Sequence, residues 1–384
     1  MHIYLDNAST TPIDPIVSEL MFKTMTEDFG NPSSIHWYGR KAKTLIEDSR
    51  RTIANLLGVS QGEIFFTSCA TESHNMILWG AVEDLGIKRV ISSPTEHPCI
   101  LNCLKHLESL NKLKVDYLQV DAKGNPNLTQ LKELLEVSNA NTMVSLMHAN
   151  NEIGTMIDLN QVATICAEHN VLLHSDTVQS IGKFKLHLEN RNIHFIAGSA
   201  HKFYGPKGAG FVYIHEDFPF RPFLNGGGQE RNMRSGTENI YGIVGLAKAL
   251  ELSYNEMDKR KDHILQLRQY LKTELTKTFD DVQYLGNQDK DFLYTILNVS
   301  FPKSPRSDMM NLNLDIAGIC VSSGSACSSG AEKQSSVLNA ISADPSRKPI
   351  RVSFSHKNTV KELDQFVDEL RKILPAKKLS MVST

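Results

Sequence analysis

The sequence lacks the signatures of several large protein classes. Its 384 residues hold six cysteines, Cys69, Cys99, Cys103, Cys166, Cys320 and Cys327, and no two of them stand as C-x-x-C. Cysteines dispersed in this way argue against a zinc ribbon or a disulfide scaffold. In a reducing cytosol most of them are expected as buried hydrophobes. No apolar run reaches the roughly 18 residues that a spanning helix needs, so no membrane partner is expected. The first residues, MHIYLDNASTTP, carry an early acid, Asp6, and no long apolar stretch. That is unlike a signal peptide, and a cytoplasmic protein is expected. The formal net charge is −2, and the densest basic cluster is only Lys377-Lys378. The electrostatic case for nucleic acid as a direct partner is therefore missing. No G-x-G-x-x-G stands at a strand–helix turn, which argues against a nucleotide-binding dehydrogenase. No G-K-[S/T] follows Gly226-Gly227-Gly228-Gln229-Glu230, so that glycine-rich run is not a P-loop.

What is present is an alternation. Strand-like apolar runs recur at Ile64–Thr67, Val90–Ser93, Val115–Val120, Met143–His148, Val171–Asp176, Ile193–Ala197 and Gly210–Ile214. Helical patterns such as Leu128–Val137 and Leu159–His169 lie between them. Strands alternating with helices predict an α/β domain with a mostly parallel sheet flanked by helices. After about residue 245 the pattern changes to a charged amphipathic region, Ala247 to Phe279. Short strands then follow at Thr295–Phe301 and Ile350–Phe354, and a helix at Val360–Leu374 with an N-cap at Asn358-Thr359. The expected division is a large domain over residues 16–245 and a smaller α+β domain made of 1–15 and 246–384.

Parallel sheets bind ligands beyond the carboxyl ends of their strands. Those ends read TSCATES, SSPTEHP, MHANNE, HSDTVQS and GSAHK. In SAHKFYGPKGAG, Lys202 enters a glycine-rich loop straight after a buried strand. It is either a surface lysine in a turn or an amine whose burial frees it for a Schiff base with an aldehyde such as pyridoxal phosphate. Asp176 ends VLLHSD, three residues before Gln179. It is either a helix N-cap or the carboxylate partner of a protonated ring nitrogen. His97 in PTEHPCI suits stacking on a flat ring, proton transfer, or an ordinary core role. Ala70 and Thr71 open a helical stretch whose free N–H groups can hold a phosphate, with Ser199 and His201 near Lys202 able to close the cup. Arg351 suits a substrate carboxylate or a structural ion pair. Cys327, in VSSGSACSSGA, lies among small residues that cannot bury a thiol. It is either incidental to a Gly/Ser loop or a nucleophile that must travel.

Taken in order, YLDNASTTP, GNPSSIH, ATESHN, TEHP, MHANNEIG, HSDTVQS, SAHKFYGPKGAG, RSGTEN, SSGSACSSG and RVSFS resemble the cysteine desulfurases. These are the NifS/IscS-like group of fold-type I pyridoxal-phosphate enzymes, and the likeness covers nearly the whole chain. It implies that Lys202 binds the cofactor aldehyde, His97 stacks on the ring, Asp176 pairs with the ring nitrogen, and Gln179 and Asn151 approach the ring hydroxyl. It implies a phosphate site from Ala70, Thr71, Ser199 and His201, completed by Thr237 across an obligate homodimer. Arg351, with Asn31 nearby, would hold the carboxylate of L-cysteine, and Cys327 would accept its sulfur as a persulfide. Acceptor proteins serving iron–sulfur cluster assembly or tRNA thiolation would follow. The open alternatives are a selenocysteine lyase or other pyridoxal-phosphate lyase or aminotransferase, and a sulfur-handling scaffold without turnover. The chain departs from the family pattern at Cys69, where a glycine with positive φ would leave a cysteine strained. It departs also at Cys99 and Cys320, expected to be inert, and at Ser355-His356, after the arginine.

Overall fold

A computed structural model describes residues 2–189, 192–323 and 335–375. The chain opens with a short strand, β1 (Ile3–Tyr4). Seven strands then build the main sheet: β2 (Ile64–Thr67), β3 (Arg89–Ser92), β4 (Lys114–Tyr117), β5 (Thr142–Ser145), β6 (Leu172–Asp176), β7 (Phe195–Ser199) and β8 (Gly210–Ile214). Their order across the sheet is β2-β8-β7-β6-β5-β3-β4. Only β8 runs against its neighbours, antiparallel to both β2 and β7. The mostly parallel sheet expected from the alternation is therefore present.

Side chains alternate between two cores, as the period-2 geometry of strands requires. Val90, Met143, Phe195 and Val212 face one helical layer with Met76, Ile77 and Leu104. Their sequence neighbours Ile91, Val144, Ile196 and Tyr213 face the other, with Ile46, Ile53 and Leu246. Every residue of β5, β7 and β8 is buried, as expected of strands covered on both faces.

A second core forms around β9 (Gln283–Leu285), β10 (Ile296–Pro302), β11 (Ile319–Cys320) and β12 (Arg347–Ser353). β10 is the centre of an antiparallel three-stranded sheet between β9 and β12, and β11 pairs in parallel with β1. The helices Met257–Thr278 and Val360–Ile373 pack here through Ile264, Leu271, Leu363 and Phe366. Thr359 caps the last helix, with Glu362 completing a capping box. The single helical region expected after residue 245 is in fact two helices, Ile240–Asn255 and Met257–Thr278, broken at Glu256. The first buries Leu246 and Leu250 in the main core, and the second buries Leu267 and Leu271 in the other. One straight rod cannot serve both cores.

The N-terminal segment ties the two regions together above the strand ends. Thr11 N–H donates to His201 O at 2.8 Å, and Asn7 Nδ2 donates to Ser353 O at 2.9 Å.

Candidate active site

Lys202 closes a single 3-10 turn, Ala200–Lys202, that follows β7 directly. The half-buried side chain sends Nζ to Ala8 O at 2.7 Å and Ser9 O at 2.9 Å. Beneath it lies Lys183, whose Nζ donates to Gln179 O at 2.8 Å and to Lys202 O at 3.3 Å. Burial, then the charge of Lys202, pushes the Lys183 ammonium down to about 7.

Asp176 ends β6 and is buried. Its Oδ1 accepts from Val178 N–H at 2.9 Å, and its Oδ2 lies 3.4 Å from His74 Nε2. Burial alone would raise this carboxyl, but His74, His97 and the Val178 amide outweigh it and hold it well below the usual carboxylate range. Gln179 donates through Nε2 to Ala8 O at 2.9 Å, the same carbonyl that holds Lys202. Its Oε1 is buried with no hydrogen-bond partner among the described residues. Asn151, half-buried, receives Arg351 Nη1 on its carbonyl at 2.8 Å.

His97 caps the helix Pro98–Ser109: its Nδ1 accepts from Cys99 N–H at 3.2 Å and stands 3.0 Å from Cys99 Sγ. Burial, reinforced by Lys202 and His74, lowers its affinity for a second proton, against a smaller pull from Asp176. A neutral ring with Nδ1 accepting carries its proton on Nε2. Glu96, beside it, accepts from Met147 N–H at 2.5 Å through Oε1, while Oε2 is buried without a partner. Burial pushes this carboxyl well up.

The helix Ala70–Glu83 starts at Cys69 with no side-chain cap, so the N–H groups of Ala70 and Thr71 face outward for an anion. Cys69 has φ −172°, an extended conformation open to any residue. The strain expected there is absent. The close approach lies opposite, where a Cβ on Gly210 would meet the Cys69 backbone at 3.0 Å. Ser199 is buried at the end of β7, and His201 Nδ1 lies 3.1 Å from Thr10 Oγ1. Burial, with Lys202, Lys207 and Lys183, pushes His201 down to about 4. Thr237 is exposed and lines a cavity of about 140 Å³ with Ser68, Gly208 and Arg234. Arg234 reaches Glu72 of the phosphate helix at 2.7 Å, tying the RSGTEN segment to it. A larger cavity, about 560 Å³, lies between Phe184, Lys261 and Phe292 and holds none of these side chains.

Arg351 is 1% exposed. Its Nη2 donates to Asp6 Oδ1 at 2.7 Å and Ser9 Oγ at 2.6 Å, and Nε has no partner among the described residues. Both roles considered for it, ion pair and free donor, thus coexist in one guanidinium. Asn31 sits on an exposed loop, with Oδ1 accepting from Ser33 N–H at 2.9 Å. Ser355-His356 packs away from Arg351: the His356 ring meets Tyr204 edge-on at 4.6 Å, in the loop that follows Lys202. Cys99 and Cys320 are free thiols that burial pushes up, as the expectation of inertness requires. Cys327 lies outside the described residues.

Lys183, Glu96, His74 and His174 escaped the reading of the sequence. Lys183 stands four residues after Gln179, a helical spacing that offered a signal. The two histidines read as ordinary residues of a helix and a strand and offered none.

The amine of Lys202 and the amide of Gln179 share the Ala8 carbonyl, His97 feels the charges of both Asp176 and Lys202, and the helix that starts uncapped at Cys69 packs against Gly210. That donor set fits a phosphorylated heteroaromatic aldehyde. The family model for aminotransferase class-V matches residues 3–366. A cysteine desulfurase IscS from Dictyoglomus turgidum is 39% identical over 97% of this chain and 94% of its own. The chain belongs to the NifS/IscS-like cysteine desulfurases. A solved NifS-like protein superimposes with a TM-score of 0.89 at 38% identity, covering 97% of this chain and 99% of that one. A structure of SspA in complex with cysteine gives 0.78 at 30% identity, over 93% of this chain and all of that one. As in the rest of this family, the fold is fold-type I and the cofactor is pyridoxal phosphate.

Proposed function

We propose that this cysteine desulfurase takes sulfur from L-cysteine, leaving L-alanine, and stores it on Cys327 as a persulfide for acceptor proteins. When bound, pyridoxal phosphate supplies an aldehyde carbon for an amine and a ring that takes up charge from the substrate α-carbon. The chain's own residues divide the rest. Lys202 Nζ, freed from Ala8 O and Ser9 O, is placed to hold the aldehyde and to carry the α-proton. Asp176 holds a proton on the ring nitrogen, and His97 covers the ring face with its Nε2–H. Gln179 Oε1 and Asn151 serve the ring hydroxyl, and Ala70, Thr71, Ser199 and His201 the phosphate. Arg351, with Asn31, would hold the substrate carboxylate, a role supported by its Nε, which has no hydrogen-bond partner among the described residues. In the transfer, the Cys327 thiolate forms a bond to the substrate sulfur while the substrate Cβ–S bond breaks. The electron pair stays with the three-carbon fragment and is protonated.

The observation that carries the reading is Asp176, a buried carboxylate held well below its usual range, in a site where Lys202 Nζ and Gln179 Nε2 share the Ala8 carbonyl. A homodimer is the second part of the proposal. Phe22, Met25, Phe29, Ile35 and Trp37 form an exposed apolar group, Ile35 at 91%. Patches of that kind mark association surfaces. In such a dimer Thr237 would complete the phosphate site of the other subunit. We further propose the division into 16–245 and 1–15 plus 246–384, supported by the separate cores, a cytoplasmic setting, and acceptors in iron–sulfur cluster assembly or tRNA thiolation. The test is the visible spectrum of the purified protein with L-cysteine added and alanine assayed. A cofactor band that changes with cysteine and yields alanine supports the reading. A band without alanine sends the chain to another amino acid, selenocysteine among them, and a colourless protein revives the scaffold.

A further inference from the structure

Behind Asp176 stands a row of side chains that touches neither cofactor nor substrate in the roles above. His74, His174 and Ser145 are each 0% exposed. His74 Nε2 lies 3.4 Å from Asp176 Oδ2, His74 Nδ1 lies 3.1 Å from His174 Nε2, and His174 Nδ1 lies 2.8 Å from Ser145 Oγ. The fold sets this row. His174 precedes Asp176 by two residues on β6, so both project from one face of the sheet. Ser145 is the register partner of His174 on β5. His74 comes from the buried side of the helix Ala70–Glu83, which also opens the phosphate site.

With Asp176 ionised and both rings neutral, the protons in this row have one consistent arrangement. The carboxylate only accepts, so His74 presents Nε2–H and is left with Nδ1 as an acceptor. His174 must then present Nε2–H to His74, and its own Nδ1 must accept. The Ser145 hydroxyl is the donor within reach. Two of the links are hydrogen bonds and the third, His74 Nε2 to Asp176 Oδ2, is a longer polar contact at 3.4 Å; in this arrangement the carboxylate keeps the only charge. Running the row backwards would place a proton on Asp176 and discharge it. Burial pushes His174 down to about 3, so its ring stays neutral. The other groups facing Asp176 are His97, Glu96 and Cys99, with the Val178 amide on Oδ1.

We propose that Ser145, His174 and His74 form a one-way donor row that keeps Asp176 a carboxylate and fixes its aim, making His74 and His174 positioning residues for the ring nitrogen of the cofactor. The proposal rests on the pyridoxal-phosphate reading of Asp176 and adds the polarity of the groups behind it.

The test uses the full-length holoenzyme with ¹⁵N-labelled histidine, and the same protein stripped of cofactor. Long-range ¹H–¹⁵N NMR reads each ring's tautomer at pH 7. The row requires both His74 and His174 neutral, protonated on Nε2, in both preparations. A charged ring or an Nδ1–H tautomer at either position overturns it. Variants add a second readout. In His74→Leu, the affinity for pyridoxal phosphate falls roughly tenfold and the pH midpoint of the visible band moves by about one unit, the equivalent in pKa terms. His74→Gln, which keeps a donor toward Asp176, recovers most of both. His174→Phe, which never touches Asp176, gives a smaller change in the same direction. If His74→Leu leaves affinity and midpoint within about twofold of the parent (roughly 0.3 pK unit), the row does not act on Asp176. If His74→Leu fails to fold, the tautomers of the parent protein still decide. A parent that takes up no pyridoxal phosphate would refute the cofactor reading instead, while its ring tautomers would still report on the row.

Discussion

Glu230→Ala should be among the most damaging single changes outside the reacting residues. Arg50 and Glu230 are 2% and 3% exposed in their side chains and meet through two parallel bonds, Nη1 to Oε2 at 2.8 Å and Nη2 to Oε1 at 2.9 Å. Oε2 also accepts Phe66 N–H at 2.7 Å, Nη1 donates to Ile64 O at 2.8 Å, and the guanidinium lies 4.7 Å from the centre of the Phe66 ring. The pair therefore pins β2 to the segment that leads from Gly226 to Thr237. Removing the carboxylate leaves the buried Arg50 charge to the half-exposed Glu47, at 3.3 Å, and leaves the Phe66 amide without its acceptor. Breaking such a buried pair costs about 3–5 kcal/mol, whereas replacing both members by apolar residues is often close to neutral. Urea unfolding followed by circular dichroism should show Glu230→Ala losing about 3 kcal/mol or more, and Arg50→Met with Glu230→Leu losing clearly less. Cofactor affinity should fall in the single variant, because Arg234 and Thr237 shift with the segment. A single variant within about 1 kcal/mol of the parent, or a double variant as damaged as the single, would refute the reasoning.

Other expectations follow from the same geometry. Asp176→Asn removes the anion at the ring nitrogen, and alanine formation should drop by about two orders of magnitude, the scale expected when such stabilisation is lost, while some cofactor still binds. The Lys183 ammonium has a folded-state pKa of about 7 against an ordinary 10.5. The unfolded chain therefore holds the extra proton between those values, and this group makes stability rise with pH across that window, by up to about 1.4 kcal/mol per unit. Lys183→Met should lose that slope when urea unfolding of the cofactor-free protein is compared at two pH values within it. Gly210→Ala places a methyl 2.9 Å from Gly198 O and 3.0 Å from the Cys69 backbone. The start of the phosphate helix must move, and pyridoxal-phosphate affinity should fall about tenfold, or about 1.4 kcal/mol, measured by titrating the visible band.

The mostly parallel sheet was legible because β5, β7 and β8 are continuous apolar runs, and the site was legible because its residues follow the strand ends in sequence. Lys202, Asp176 and His97 needed no tertiary knowledge to be noticed. The break at Glu256 was not legible: both helices have helical patterning, and only the existence of two cores separates them. The Arg351–Asp6 contact joins residues 345 positions apart, so no local pattern could announce it. His74 and His174 read as ordinary residues within a helix and a strand, and their partnership appears only when the helix is laid on the sheet. Whether Cys69 is strained depended on a φ that the sequence cannot report, and here it is extended.

The central claim is sulfur abstraction onto Cys327, and a single-turnover experiment tests it most directly. The holoenzyme is mixed with one equivalent of L-cysteine without reductant, and the intact protein is weighed by mass spectrometry while alanine is counted. The account predicts one alanine per site and a mass gain of one sulfur atom mapped to Cys327, with both lost in Cys327→Ser although the cofactor band remains. Alanine formed at an undiminished rate by Cys327→Ser, or a sulfur atom mapped to Cys99 or Cys320 in the parent protein, would contradict it.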